Sequence, residues 1–276
     1  MIDMQYIVKD LLLHVTKLLE PKIQRASREA QLFLMNYLHV DELWLLTNQQ
    51  NVVQKDTTKL FEMVQQRLED KPFEYIFNKV SFYSEEFYID EGALIPRPET
   101  ELLIDEVLKN IEDKNKALNF VEVGVGSGII SIMLAKHLPN AKFISIDISQ
   151  KALDVAKKNI EKFGLQNQIT LKKGSLLDGV DTKIDYLVSN PPYIANDAKL
   201  EKNLSYEPQN ALFGGEVGDE IIKQLLDEVL KREINFFTCE IGYDQKSKIQ
   251  NYIQNKANLD FYKDLSGFDR GFTLRI

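Results

Sequence analysis

The chain has 276 residues, 44% hydrophobic and 28% charged, an ordinary globular composition long enough for one large domain or two smaller ones. Its net charge of −8, with 34 basic residues, argues against a broad non-specific grip on nucleic acid but does not exclude a small basic patch. The single cysteine, Cys239, excludes an intramolecular disulfide or a cysteine zinc cluster, and no apolar run approaches the ~20 residues of a membrane span.

At the N-terminus Asp3, Lys9 and Asp10 interrupt what would be a signal-peptide core, so a cytoplasmic location is expected. Ile7, Val8, Leu11, Leu12, Val15, Leu18 and Leu19 form a helical stripe. Ser27 is placed to cap a second helix carrying Ala30, Phe33, Leu34, Tyr37 and Leu38. Asp41 would cap a short third helix with Trp44 and Leu45, and Asp56 opens a fourth with Leu60, Met63, Val64 and Leu68. Such stripes must be buried against each other, which predicts a small bundle over residues 1–71. The stretch "PFEYIFNKVSFYSEEFYIDEGALI", residues 72–95, is aromatic and β-rich and reads as a hairpin linking the bundle to the C-terminal part of the chain.

From about residue 117 strands and helices alternate. "LNFVEVG", "KFISID", "QITLKKG", "KIDYLVSN" and "NFFTCEIG" read as five strands. "GIISIMLAKHL", "SQKALDVAKKNIEKFG" and "DEIIKQLLDEVLKR" read as helices between them. The pattern implies an α/β domain over residues 96–276, with a parallel sheet covered on both faces. Ligands of such sheets bind beyond the carboxyl ends of the strands. Cys239 falls inside the fifth strand and reads as a small buried residue, while His14, His39 and His137 form no cluster and read as structural or surface residues.

The first strand leaves as Gly124-Val125-Gly126-Ser127-Gly128 and enters a helix. Glycines there allow a sharp turn and a close approach of backbone to ligand. Ile129 breaks the G-x-G-x-x-G spacing of a dinucleotide site. The tighter spacing resembles that of Rossmann-like methyltransferases that bind S-adenosylmethionine. Asp147 ends the second strand, where a carboxylate can accept from ribose hydroxyls.

The fourth strand ends in "SNPPY", residues 189–193. Pro191 and Pro192 donate no backbone hydrogen bond and hold Asn190 extended. A planar amide or nucleobase nitrogen is a poor nucleophile because its lone pair is delocalised. The Asn190 side-chain oxygen and the Pro191 carbonyl can hold its two hydrogens and lean charge onto it, with Tyr193 stacked on the planar group. No metal and no strong base are required, since positioning and electrostatics carry the chemistry.

Further stretches narrow the resemblance: "LIPRPETE" (94–101), "YEPQNALFGGEVGDE" (206–220), "EIGYDQ" (240–245) and "DLSGFDRG" (264–271). With the helical N-terminus they resemble the release-factor glutamine methyltransferases of the HemK/PrmC type over essentially the whole chain. That resemblance implies a class I S-adenosylmethionine-dependent methyltransferase domain behind a small helical bundle. It implies methylation of the side-chain amide nitrogen, N5, of the glutamine in the Gly-Gly-Gln loop of class-I peptide chain release factors, modulating translation termination. Asn190, Pro191, Pro192 and Tyr193 would be catalytic. Glu122, Gly124, Val125, Gly126, Ser127, Gly128, Asp147, Ile148, Ser175, Leu176 and Asn190 would hold the cofactor. Arg97, Pro98, Glu99 and Thr100 would line the substrate side together with the Asn190–Tyr193 motif, and the bundle would help grip the release factor.

The sequence departs from the family pattern in three places. Glu122 stands where the family usually has aspartate, Ser175 replaces an aspartate near the adenine, and Phe77 replaces a common glycine. Two rivals are a nucleic-acid methyltransferase acting on a flipped base, disfavoured by the acidic balance, and a docking protein without catalysis, disfavoured by the intact Asn190–Tyr193 motif.

Overall fold

In the computed structural model, residues 6–254 and 256–276 are described, and the chain divides between Phe77 and Asn78 into two units. Asp3, one of the charges that interrupt a signal-peptide core, lies outside the described residues. Among the described residues no helix is long and apolar enough to cross a membrane.

The first unit is helical: α1 (Val8–Leu19), α2 (Ala26–Leu38), α3 (Glu42–Thr47), α4 (Thr58–Leu68) and α5 (Phe73–Phe77). Val8, Leu11, Val15 and Leu19 fall on one face of α1 at helical spacing and are buried, while Leu18 on the neighbouring face is exposed. Asp41 caps α3, its Oδ1 accepting from Trp44 N at 2.7 Å. Ser27 is not a cap, because α2 already begins at Ala26. Asp56 Oδ1 accepts from Thr58 N at 2.9 Å, just ahead of α4. The centre of the bundle is Phe33, whose ring lies 5.3 Å from those of both Phe73 and Phe77. Phe77 therefore packs with the helical core and is not part of the hairpin. The hairpin expected over 72–95 is accordingly shorter, since residues 73–77 turn helically to bury their aromatic face.

The second unit opens with that hairpin, β1 (Lys79–Phe82) and β2 (Glu85–Tyr88). Its two-residue turn puts Tyr83 and Ser84 at φ 54° and 63°, the mirror-type turn that suits strand twist. Next come α6 (Thr100–Lys109), β3 (Asn119–Val123), α7 (Ile129–His137), β4 (Lys142–Asp147), α8 (Gln150–Lys162), β5 (Ile169–Lys173) and β6 (Tyr186–Ser189). The short elements β7 (Ile194–Ala195), α9 (Gln209–Leu212) and β8 (Phe213–Gly215) lie between β6 and the last helices. The chain ends with α10 (Glu220–Arg232), β9 (Phe236–Glu240), α11 (Lys246–Ile253), β10 (Asn258–Lys263) and β11 (Asp269–Arg275).

Seven strands form one sheet in the order β10-β11-β9-β6-β3-β4-β5. The five strands read from the sequence are parallel, as expected, but the sheet is not wholly so. β11 runs antiparallel to β9, and β10 antiparallel to β11. The chain turns back after α11 with a short hairpin, which needs no crossover helix. Residues 129–135 of α7 are buried on every side, so it is a central helix without a polar face. The helices α10 and α11 pack with β9 and β11 into a continuous core that includes Leu225, Leu226, Phe237, Ile249 and Phe272. After β5 the chain returns to pair β6 on the other side of β3. The strand order thus reverses between β3 and β6, the place where ligands bind in open α/β sheets.

Replacing the fully buried Phe33 by alanine is expected to cost the helical unit about 3–5 kcal/mol. Trp44 is the single tryptophan and lies in that unit, so its fluorescence follows the bundle alone. In urea the Trp44 midpoint should fall for Phe33→Ala while the circular-dichroism transition of the sheet unit stays at the parent's midpoint.

Candidate active site

The reversal point is held together by one buried hydroxyl. Ser189, the last residue of β6, donates from Oγ to the carbonyl of Val123, the last residue of β3, at 2.7 Å. Beyond that bond the two strand ends diverge into Gly124 on one side and Asn190 on the other. They stay close: a Cβ added at Gly124 would sit 3.6 Å from the Asn190 carbonyl.

The glycine loop turns through positive φ at Gly124, Gly126 and Gly128. A Cβ at Gly128 would meet Ala156 of α8 at 3.3 Å, so this glycine lets α7 and α8 pack. At Gly126 it would meet nothing within 4 Å, so that glycine serves the turn and leaves the backbone open to the cleft. From behind, the buried Asn159 fixes the loop. Its Nδ2 donates to Ser127 O at 2.8 Å and to Tyr88 O at 2.9 Å, and its Oδ1 accepts from Tyr88 N at 2.7 Å. Asp147 lies across from the loop, accepting from Gly126 N at 3.0 Å and Ser149 N at 2.8 Å. Burial raises its pKa, opposed by those backbone donors. A carboxylate has about four acceptor sites, so lone pairs remain for a ligand.

The glycine loop and Asp147 open onto one cleft. Its lining includes Gly124, Val125, Gly126, Ser127, Asp147, Ile148, Ser175 and Leu176 together with Arg97, Thr100, Asn190, Pro191 and Pro192. Leu176 sits at φ 48°, a strained conformation for a leucine, on the wall of the cleft.

Several expected residues lie off the wall. Gly128 packs against α8, and Pro98 and Glu99 are not among the lining residues. Glu122 points toward α7 and is fully buried: Oε2 accepts from Ser131 N at 3.2 Å and from Ser131 Oγ, and Oε1 has no partner. Burial pushes its pKa to about 8 against the Ser131 hydrogen bonds. Tyr193 is also drawn inward. Its ring packs on the sheet core, its hydroxyl donates to Glu240 Oε1 at 3.4 Å, and burial pushes its phenol well up. Tyr193 is not among the residues that line the cleft. The histidines are structural: His14 bonds Tyr6, His39 ends α2 at φ 58°, and His137 bonds Met133 O. Cys239 is buried in β9.

Gly92, Ala93 and Gln224 also line the cleft and gave no signal in the sequence pattern, while Leu94, Asn210 and Ala211 lie in the 94–101 and 206–220 segments. The buried carboxylate of Glu207 pairs with Arg97 and accepts from Ile95 N at 3.1 Å, joining the 94–101 and 206–220 segments. The latter segment straps the Asn190–Tyr193 motif. A Cβ at Gly214 would strike the Pro192 carbonyl, and one at Gly218 the Tyr193 carbonyl. Gln245 donates to both Tyr193 O and Gly218 O, at 3.1 and 3.0 Å.

Residues 98–213 match the methyltransferase small domain, and residues 10–77 the PrmC N-terminal domain. The release factor glutamine methyltransferase of Clostridium botulinum is 36% identical over 278 residues, covering 96% of this chain and 97% of that protein. The chain belongs to the release factor glutamine methyltransferase family. The Enterococcus faecalis member is 37% identical over 237 residues, covering 82% of this chain and 84% of that one. A bifunctional methyltransferase of Rickettsia conorii is 33% identical over 301 residues, covering 97% of this chain and 57% of that protein. Among solved structures, the hMettl16 catalytic domain in complex with an RNA hairpin superposes with a TM-score of 0.58 at 14% identity, covering 82% and 84% of the two chains. That likeness is one of fold: the class I, Rossmann-like methyltransferase sheet.

Glu122, the family's usual aspartate, gives a stability prediction. Its pKa of about 8 in the fold stands against an ordinary 4.5. The folded chain therefore keeps a proton that the unfolded chain releases between those values. Its stabilising contribution is full below the lower value and is lost as pH rises toward the upper. Urea midpoints of Glu122→Gln should gain on the parent as pH rises from about 5 to about 8.5; curves that stay parallel would show a carboxylate charged in the fold.

Proposed function

We propose that this enzyme methylates N5 of the glutamine in the Gly-Gly-Gln loop of class-I peptide chain release factors, using S-adenosylmethionine and so modulating translation termination. The observation that carries the reading is the meeting of the glycine loop and Asn190 at the reversal of strand order, in one cleft.

The cleft suits the cofactor. Asp147 retains free acceptor sites for ribose hydroxyls, and Ile148, exposed beside it, offers an apolar face to a base. Gly126 leaves backbone open to the ligand, and Ser175 and Leu176 form the far wall. Serine at 175 keeps a hydroxyl where the family usually has a carboxylate. When bound, S-adenosylmethionine supplies a sulfonium methyl group, which moves to the amide nitrogen as the S–C bond breaks and nitrogen gives up a proton.

The protein's own part is orientation. Pro191 and Pro192 stiffen the segment, and Gly214 and Gly218 leave it no room to move. Asn190 presents an acceptor to the target amide, with the Pro191 carbonyl as the second, and this polarity offsets charge developing on nitrogen. Tyr193 anchors the motif through its hydroxyl on Glu240. Arg97 and Thr100 stand on the substrate side, and the helical unit contributes to the grip on the release factor. The acidic balance of the chain fits a protein substrate better than naked nucleic acid.

Two variants separate binding from chemistry. Asn190→Ala should slow single-turnover methylation of a purified release factor by ~10²–10³-fold, the loss typical of one preorganised polar group. Its calorimetric affinity for S-adenosylhomocysteine should stay near the parent's. Asp147→Ala should do the reverse, weakening that affinity by loss of a charged acceptor. Mass spectrometry of the modified peptide locates the methyl group. A fully active Asn190→Ala enzyme, or methyl groups on nucleic acid and none on the release factor, would overturn the reading.

A further inference from the structure

Behind Asn190 a file of polar side chains runs into the interior. Thr100, the first residue of α6, is 1% exposed, and Glu240, the last of β9, is 2% exposed. Asn190 Nδ2 donates to Thr100 Oγ1 at 3.1 Å, and Thr100 Oγ1 donates to Glu240 Oε2 at 2.7 Å. The other carboxylate oxygen accepts from Tyr193 at 3.4 Å. These residues come from three segments far apart in sequence, and such a file has no place in the core unless its donors and acceptors match.

Their matching fixes a direction. The two orientations of an asparagine amide have nearly the same shape, and only hydrogen-bond partners distinguish them. A threonine hydroxyl has one proton, and an ionised carboxylate can only accept. With Glu240 ionised, the Thr100 proton is committed to it, so Thr100 offers Asn190 only a lone pair. The NH₂ of Asn190 must then face Thr100, and Oδ1 is left for the cleft. A protonated Glu240 permits the opposite order: Glu240 donates to Thr100, Thr100 donates to Oδ1, and the NH₂ points at the target. An NH₂ there would oppose the hydrogens of an incoming amide.

We propose that Thr100 and Glu240 are positioning residues that set the polarity of Asn190, so that its carbonyl oxygen faces the nitrogen to be methylated. The proposal rests on the role given to Asn190 under the proposed function and adds what holds that residue the right way round. It also makes the reaction sensitive to pH. Around Glu240 stand Glu99, just ahead of α6, Thr100 at the start of α6, Tyr193 from the loop after β6, Arg270 from β11, Tyr262 from β10 and Cys239 on its own strand. Burial raises its pKa to about 7, Glu99 adds to the rise, and Thr100, Tyr193 and Arg270 oppose it. The productive polarity is therefore populated above about 7 and lost as pH falls through that value.

The test is single-turnover methylation of a purified class-I release factor by the full chain, with S-adenosylhomocysteine affinity measured in parallel. Thr100→Val keeps the shape and removes the hydroxyl. It should slow methyl transfer by ~10–100-fold, somewhat less than loss of the acceptor itself, with cofactor-product affinity within about twofold. Thr100→Ser, which restores the hydroxyl, should bring the rate to within about fivefold of the parent. The parent's rate should fall between about pH 8 and about pH 6, and that limb should be absent from Thr100→Val, where Asn190 is uncoupled from Glu240. If Thr100→Val does not fold, Glu240→Gln is used, and it should flatten the same limb. A Thr100→Val enzyme at the parent's rate, beside a slow Asn190→Ala, overturns this relay and leaves the role of Asn190 standing. A fully active Asn190→Ala overturns that role as well. Loss carried by cofactor-product affinity, or an acid limb unchanged in Thr100→Val or Glu240→Gln, also overturns the relay.

Discussion

The hydrogen bond from Ser189 Oγ to the Val123 carbonyl joins the two strands at the point where their paths separate. Parallel neighbours need no such extra tie along their length, because the ladder between β3 and β6 already holds them. At the last residues the ladder ends, and both chains must leave in different directions. A buried hydroxyl aimed at the last carbonyl keeps the glycine loop and Asn190 a few ångströms apart. Everything proposed for the reaction depends on that spacing, since a donor and an acceptor of a methyl group must meet in line.

Three acids surround this point, and their environments divide their tasks. Asp147 has backbone donors on both oxygens and reaches the cleft. Glu122 is sealed behind the glycine loop with one oxygen unpartnered, where a neutral acid is the better tenant. Glu240 lies between these extremes, buried but well supplied with hydroxyl donors. Sequence position alone would group Glu122 with Asp147, because both stand at strand ends beside the loop. Burial and hydrogen bonding separate them.

The glycine loop, Asp147 and the Asn190–Pro192 segment were legible in the sequence because each is contiguous with a strand end whose apolar run marks it. What could not be read depends on partners remote along the chain. Glu240 meets Thr100 across 140 residues, and Arg97 meets Glu207 across 110. No local pattern announces either pair. The edge strand β10 and its neighbour β11 were missed because Asp260, Lys263, Asp269 and Arg270 interrupt their apolar alternation. Ser27 failed as a cap because α2 starts one residue earlier.

The strap over the Asn190–Tyr193 motif has a genetic consequence. Gly214 and Gly218 carry no functional group, yet any side chain at either would collide with the backbone that holds the reacting amide. On the proposed mechanism, a substitution at either position is expected to disturb the Asn190–Tyr193 segment although neither glycine offers a reagent. A genetic screen scored by methylation would recover these glycines beside Asn190, and an observer unaware of the geometry would take them for loop residues.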